Sequence, residues 1–587
     1  LAQYKTYRDS LQAYLGRARE VYEGHFPPSE LYGDHQLPTV QNPLPPALFA
    51  PFLVLFGGNT DSAYLGAQFF FVGAIFALFY WLGWLFTASR AKALFLGLTG
   101  TLTPIVLKLP FYKWQGLAEF QAFFLNNFFP FVRTQFDQLY LARVDEPLLT
   151  YPIYLAAIAL FFLFWRSPSR VNAVWAGIFS GLIFYTYFHH WVYWTIAWGT
   201  LFVYSLIFRK YDPNRLRYFI WFLIAFAIAI LPYVVGYLQF SALPTSSDFT
   251  YRAGVAFGRV VGIDVGNLAD YAFYIGLAVV VWATFWRRDK NMAIFLLALI
   301  SAMFLVWNVQ LVAGFSPVPH FFRRPIAPAI FIVSFAVIFE IIKRIEARWR
   351  SAEKIIVGIF LVLSAMLITK KIVNIVYINC CLQSHLVDYY RFPGEVAESW
   401  DWIKENIPGE PKIISPSTMT SFYLTSHTAA RPYLPTAFTT LMSMQEMEDR
   451  YLTSHKLFGV SGETLRKRLA GQLDAGCESY ECFPDKGSNL NDSFGNLYGN
   501  YFPSRYGSFH QFLSGADREI ITKKRGEKIE ELIRRYQDLK VNWQAVPADY
   551  VFVGPMEEQL AIRSLENDSG LSLIYKNSLV KIYAIRR

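Results

Sequence analysis

Ten long apolar runs constrain this chain more than any other feature: they lie at about 62–86, 93–110, 148–165, 171–188, 191–208, 217–238, 269–286, 291–313, 325–342 and 355–376. A helix of roughly 20 apolar residues crosses the hydrocarbon of a bilayer. Inside lipid, only helices and closed barrels satisfy their own backbone groups. The 587 residues are 54% hydrophobic and 17% charged, with the apolar residues gathered into these runs rather than spread evenly. The expectation is a polytopic α-helical membrane protein of about 10–11 transmembrane helices. Pro104 interrupts the run 93–110, which predicts a broken or re-entrant segment.

Charge gives these runs a direction. Alternate short connections carry Arg90 and Lys92; Arg166 and Arg170; Arg209, Lys210, Arg215 and Arg217; Arg287, Arg288 and Lys290; and Lys343, Arg344, Arg348, Arg350 and Lys354. If the ten runs alternate, all five clusters fall on one side, and the positive-inside rule makes that side cytoplasmic. The net charge of +10 is therefore mostly an orientation signal, and no nucleic-acid partner is expected. The remaining connections, with the long proline- and charge-bearing segments, lie outside, and the work of the protein is expected on that face.

Three domains follow: 1–61, a first outer loop with an amphipathic helix; 62–376, the transmembrane domain; and 377–587, an extracytoplasmic α/β domain. In the first, DSLQAYLGRAREVY places Leu11, Tyr14, Leu15, Ala18 and Tyr22 at helical spacing, for a helix on the membrane surface or packed on other helices. In the third, 408–417 and 548–555 read as short buried strands, 516–540 as a charged helix, and 571–585 as two strands joined at Asn577. Cys477 and Cys482 are spaced for a local disulfide or stand as free thiols; Cys380 and Cys381 read as packing or lipid-anchor residues. The chain opens on Leu1 without a charged leader, so a preceding segment, such as one more membrane helix, is expected.

Ionisable residues at the outer mouth of the bundle are the candidates for chemistry, because leaving them near lipid is costly. Asp9 precedes the amphipathic helix and either caps it or acts on substrate. Arg143, Asp145 and Glu146 lie just before a helix with Pro147 at its start; carboxylates there suit the helix dipole, or can remove a proton from an acceptor hydroxyl or hold a divalent ion. A divalent metal, Mg or Mn, would find ligands in Asp9 and Glu146; no other cofactor is indicated. His189 and His190 sit at an outer turn among aromatics, as structural hydrogen-bonding groups or substrate contacts. Arg252, in another outer loop, is a polar contact of the same kind. The tract VWNVQLVAGFSPVPHFFRRP brings His320, Arg323 and Arg324 to the boundary where orientation does not call for positive charge. Adjacent arginines there can grip a phosphate or snorkel to headgroups.

Together these pieces resemble the GT-C superfamily of integral membrane glycosyltransferases. The likeness lies in the acidic first outer loop with its amphipathic helix (DSLQAYLGRAREVYEGHFPPSE), a second acidic outer loop (ARVDEP), about ten helices and an outer carboxyl-terminal α/β domain. The tract NVQLVAGFSPVPHFFRR is similar to an outer loop of uncharacterised bacterial members. The resemblance implies inverting transfer of a sugar from a polyprenyl phosphate or diphosphate donor to a glycan, lipid or protein acceptor outside. It implies Asp9 as general base, Asp145 or Glu146 as the second acidic site, and His320, Arg323 and Arg324 as the donor-phosphate site. No WWDYG-like tract is present, which argues against oligosaccharyltransferase activity, and Asp9 lacks the adjacent Glu of protein O-mannosyltransferases. A lipid or solute flippase, or a membrane scaffold with an outer binding domain, is the rival. A flippase predicts charge along helix interiors and paired sequence halves; a scaffold predicts that the candidate residues do not converge.

Overall fold

The computed structural model describes residues 14–32, 42–104, 106, 117–132, 141, 143–208, 213–261, 265–381, 393–471, 493–507, 514–558, 560 and 562–587. Asp9, Cys477 and Cys482 lie outside the described residues; Asp145, His320, Cys380 and Cys381 are described in their backbone alone. The principal helices up to residue 381 are α1 (Gly16–Tyr22), α2 (Leu44–Leu55), α3 (Thr60–Thr87), α4 (Arg90–Leu102), α5 (Leu117–Phe128), α6 (Tyr151–Arg166) and α7 (Arg170–Leu182). They continue with α8 (Phe188–Ile207), α9 (Pro213–Ser241), α10 (Ser246–Arg252), α11 (Val265–Phe285), α12 (Lys290–Val306), α13 (Arg323–Arg348) and α14 (Arg350–Cys381).

Each apolar run forms a helix, and six of these among the described residues are long and apolar enough to cross a membrane: α3, α6 with the turn before it, α9, α11, α13 and α14. Helices α4 and α7 are 13 residues each and α12 is 17, while the 20-residue α8 is rich in Trp, Tyr and His. Helix α4 stops where the proline predicts. Thr103 is extended (φ −117°, ψ 156°) because the residue before a proline is pushed out of the α region. Helices α1, α2, α5 and α10 lie outside the ten runs, and α2, LPPALFAPFLVL, is an unexpected apolar helix in the stretch read as the first outer loop. Pro45 and Pro46 occupy its first turn, where no backbone N–H is needed, Pro51 lies inside it, and Val54 and Leu55 are exposed.

Close packing inside the bundle is set by small residues. A Cβ on Gly177 would lie 2.4 Å from the Phe222 carbonyl oxygen, and one on Gly181 2.4 Å from Ala229 Cβ, so α7 and α9 meet backbone to backbone. Helices α6 and α13 are the central pair, with 78% and 72% of their apolar stretches buried against 11% for α9. The site described below is built at the starts of these two helices.

The five basic clusters gather at one end of the bundle. Arg166 Nη1 donates to Leu85 O, Trp165 Nε1 donates to Asn291 O, and Arg215 Nη2 donates to Asn291 Oδ1. Arg288 lies 3.7 Å from Glu340, Arg344 donates to Thr284 O, and Lys92 Nζ is 2.7 Å from Glu346. These bonds link four of the clusters into a closed ring, with Arg215 of the fifth attached at Asn291, at one end as alternating spans require.

The carboxyl-terminal domain docks on the opposite end. Its sheet has β3 (Lys412–Ile414) parallel to β4 (Arg431–Pro432) and to β5 (Tyr550–Val553), while β7 (Lys581–Ile585) runs antiparallel to β5 and to β6 (Leu571–Lys576), giving the order β4-β3-β5-β7-β6. Two further strands, β1 (Ala256–Phe257) and β2 (Phe315–Ser316), pair antiparallel and tie two connections of the membrane part together. The domain helices used below are α15 (Gly394–Asn406), α16 (Thr418–His427), α17 (Met444–Leu457), α18 (Ser493–Tyr498), α19 (Tyr501–Tyr506) and α20 (Gly515–Asp538). Helix α1 is wedged between α2 and α16 rather than lying on a membrane surface: Leu15 and Ala18 are buried, and so are Arg17, Arg19 and Glu20. Glu20 meets Arg431 at 3.2 Å, and Thr60 Oγ1 donates to Ser426 O at 2.6 Å. A carboxylate can be buried there because it is paired.

Candidate active site

Glu146 owes its position to Pro147. Within the turn Val144–Leu149 it alone leaves the helical region, at φ −127° and ψ 117°, as the residue before a proline must. Its side chain, 3% exposed, turns to Arg324 in the first turn of α13 and forms a salt bridge with it. Arg143 closes the turn from the other side, its main-chain oxygen accepting from Leu148 N at 3.1 Å.

Another proline fixes the partner. The carbonyl of Arg324 would ordinarily accept from the N–H four residues on, but that residue is Pro328, which has none. Tyr151 OH fills the vacancy at 3.1 Å, and Tyr154 OH donates to Pro325 O at 3.0 Å. Both tyrosines belong to α6, so the helix that follows Glu146 also holds the backbone of Arg324. The guanidinium lies over Phe321 at 4.2 Å and Tyr187 at 5.0 Å, contacts that favour a cation. Tyr14, the first described residue of the amino-terminal segment, lies within electrostatic reach of Arg324.

The two histidines divide their work. His189 Nε2 is 2.9 Å from Val318 O; a carbonyl only accepts, so this nitrogen carries the proton. That bond ties the start of α8 to the proline-stiffened loop before α13. His190, fully buried, points its Nε2 to 3.5 Å from Glu146 Oε1 and packs among the rings of Tyr151, Tyr154 and Tyr187.

Glu146, His190 and Arg324 thus converge, and Arg323 does not. Successive helix residues point about 100° apart, and Arg323 is exposed, with the buried Asp270 of α11 as its electrostatic partner. The two arginines, expected to grip one phosphate together, thus have different partners, Glu146 for Arg324 and Asp270 for Arg323. His320 lies in the turn Pro319–Phe322 that leads into α13. Asp145 is next to Glu146 in the same turn.

Arg252 sits elsewhere. It is wholly buried between α10 and the carboxyl-terminal domain, with Nη1 donating to Met442 O and Nη2 to Thr440 O, both at 2.8 Å. Burial lowers its pKa to about 10, which still leaves it charged at neutral pH. A guanidinium bonded to two main-chain carbonyls docks domains, so the expected substrate contact gives way to a structural role. Among the described residues no three of His, Cys, Asp and Glu gather as metal ligands.

Some members of the site escape a reading by residue type. Tyr151, Tyr154 and Tyr187 look like an interfacial aromatic belt, although Pro328, four residues after Arg324, announces a carbonyl in need of a donor. Apart from this constellation, Lys370 of α14 is a second buried cation, donating to Asn374 Oδ1 at 2.9 Å and to Val132 O; its signal is a lysine inside an apolar run.

No family model matches the chain, and no curated protein is detectably similar to it in sequence. Among solved structures it is similar to ArnT from Cupriavidus metallidurans in the apo state, at 13% identity over 98% of this chain and 94% of that one, with a TM-score of 0.36. That likeness is too loose to assign roles, so the chemistry is argued from this chain's own residues.

Proposed function

We propose that the protein is an integral membrane glycosyltransferase of GT-C type, moving a sugar from a polyprenyl phosphate or diphosphate donor to an acceptor on the extracytoplasmic face. The observation that carries this reading is the buried Glu146–Arg324 pair with His190 beside it, at the starts of the two central helices and at the end away from the basic ring. Sugar transfer from a lipid phosphate needs a base for the acceptor hydroxyl and a fixed cation for the charge growing on the departing phosphate. Arg324 supplies the cation: it uses one terminal nitrogen on Glu146 and is 23% exposed, so donors of its planar fork remain for phosphate oxygens. Glu146 orients it. A lipid tail can stay in the bilayer while its head reaches this boundary. Asp9, the acidic residue that leads into the amino-terminal helix, takes the proton from the acceptor. Asp145 and His320 complete the acidic and donor-phosphate sites.

The test is release of polyprenyl phosphate by the full chain in nanodiscs, with polyprenyl-phosphate hexoses and pentoses as donors and an envelope extract as acceptor. Wild type should release lipid phosphate from at least one donor, and Glu146→Gln, Arg324→Gln and Asp9→Asn should each lower the rate by about 100-fold or more. Donor moved across the bilayer uncleaved would assign a flippase instead. Unchanged turnover in all three variants would remove this site from the chemistry.

A further inference from the structure

The outer domain holds a cleft of 750 Å³ built by elements that contribute nothing to the Glu146–Arg324 site. One wall is α20, where Lys524, Lys528, Glu531 and Arg535 recur three or four residues apart and so share a face. Facing it are Tyr498, Tyr501, Phe502 and Tyr506 of α18 and α19. Glu448, on α17, forms the floor: its side chain is 4% exposed and accepts from Tyr498 OH at 2.7 Å, Lys528 Nζ at 3.0 Å and Arg535 Nη1. The carboxylate at the bottom is thus neutralised from within, and it pins the charged wall to the aromatic one.

Nearer the opening the cations are less committed. The Lys524–Glu527 pair, 2.8 Å, has side chains 42% and 48% exposed. Ion pairs so open to water contribute little, and an incoming anion can displace them. Arg534 is exposed at the rim, with no carboxylate within 4.0 Å among the described residues. The apolar lining among the described residues is Met444 and the aromatic rings, without Leu, Ile or Val. Aromatic rings opposite Arg, Lys and Glu suit pyranose rings, whose C–H faces lie on aromatics and whose hydroxyls and acid groups take charged hydrogen bonds. The volume lies in the range of small-molecule sites. The cleft is also held to the membrane part: Tyr501 packs on Tyr251 at 5.8 Å, and Met444 N donates to Asp248 Oδ2 at 3.2 Å, both partners lying in α10, next after the membrane helix α9.

We propose that this cleft binds an acidic glycan, bearing carboxylate or phosphate groups, as the acceptor for transfer. The binding stands without the glycosyltransferase reading; only the role as acceptor rests on it.

The test is binding of three probes to the detergent-solubilised full chain by saturation-transfer NMR and thermophoresis: tetragalacturonate, a mannose-6-phosphate oligosaccharide and neutral maltotetraose. At least one acidic probe should bind ten times tighter than maltotetraose and weaken on raising salt from 0.05 to 0.3 M. Arg534→Glu and Tyr506→Ala, both away from the buried floor, should each weaken that binding at least fivefold, while Glu146→Gln leaves it unchanged. Equal binding of acidic and neutral probes, no binding of any, or affinities untouched by both rim variants overturns the proposal. Because binding is read without turnover, an inactive Glu146→Gln chain that still binds separates this site from the chemistry, and intact transfer in Glu146→Gln defeats the function without touching the cleft.

Discussion

Removing both charges of the Glu146–Arg324 pair should cost less stability than the two single removals added together, and activity should not follow the same rule. In Arg324→Gln a carboxylate that is 3% exposed loses its cation; leaving a buried charge unpaired costs about 3–5 kcal/mol. Glu146→Gln is milder, about 1–3 kcal/mol, because Arg324 is 23% exposed and keeps its ring contacts with Phe321 and Tyr187. The double variant buries two neutral amides able to bond to each other, so it should recover about 1–3 kcal/mol relative to the sum of the singles. Equilibrium unfolding in mixed micelles measures these differences; release of polyprenyl phosphate measures function. Transfer should stay below about 1% of wild type in all three variants, since the proposed mechanism has Arg324 act on the donor phosphate and Glu146 hold it in place. A double variant that regains both stability and turnover would show the pair to be a strut. Strict additivity in stability would show that the two charges do not interact.

His427 lies flat on Trp400 at 4.5 Å, and burial holds its pKa at about 3, with Lys404 and Arg19 adding to the effect. The unfolded chain takes up this proton near pH 6.5 and the folded chain only near 3, so stability is complete above 6.5 and falls by up to about 1.4 kcal/mol per pH unit between them. Unfolding of His427→Gln at pH 7, 6, 5 and 4 should show a shallower acid slope, and an identical slope would refute the assignment. Gly177→Val should separate α7 from α9, because even a Cβ falls 2.4 Å from a backbone oxygen; overpacking of this kind costs about 1–3 kcal/mol, read by thermal unfolding in detergent. Arg252→Met should leave two buried carbonyls unmet, at about 1–3 kcal/mol each. Hydrogen exchange should then rise around residues 440–447 while transfer persists; a lost activity with unchanged exchange would return Arg252 to the substrate.

What could be read from the chain was what is local. Apolar runs and the charges beside them are contiguous, so ten helices and one basic end follow from them; the strands at 412–414, 550–553, 571–576 and 581–585 lie inside the stretches that alternation marks. Helix α2 was hidden because three prolines in LPPALFAPFLVL read as loop, although two of them sit in the first turn. The role of Arg252 was out of reach for another reason: its carbonyl partners, Thr440 and Met442, stand 188 and 190 residues away. Neighbours of one residue type also look alike in sequence and part in space. His189 bonds a carbonyl while His190 faces Glu146, and Arg324 pairs with Glu146 while Arg323 faces Asp270.

The two prolines explain why this ion pair has a fixed geometry at all. Pro147 denies Glu146 the helical conformation and so sends its side chain out of the line of α6. Pro328 strips the Arg324 carbonyl of its helical donor, and Tyr151, five residues past Glu146, replaces it. Both ends of the pair are therefore referred to the same short piece of backbone at the start of α6. A side-chain pair on two separately moving helices would follow their drift, whereas here any shift of α13 against α6 must also break the Tyr151 and Tyr154 bonds. The site is held rigid by backbone chemistry encoded within a few residues of each charge, which is what preorganised stabilisation of a departing phosphate requires.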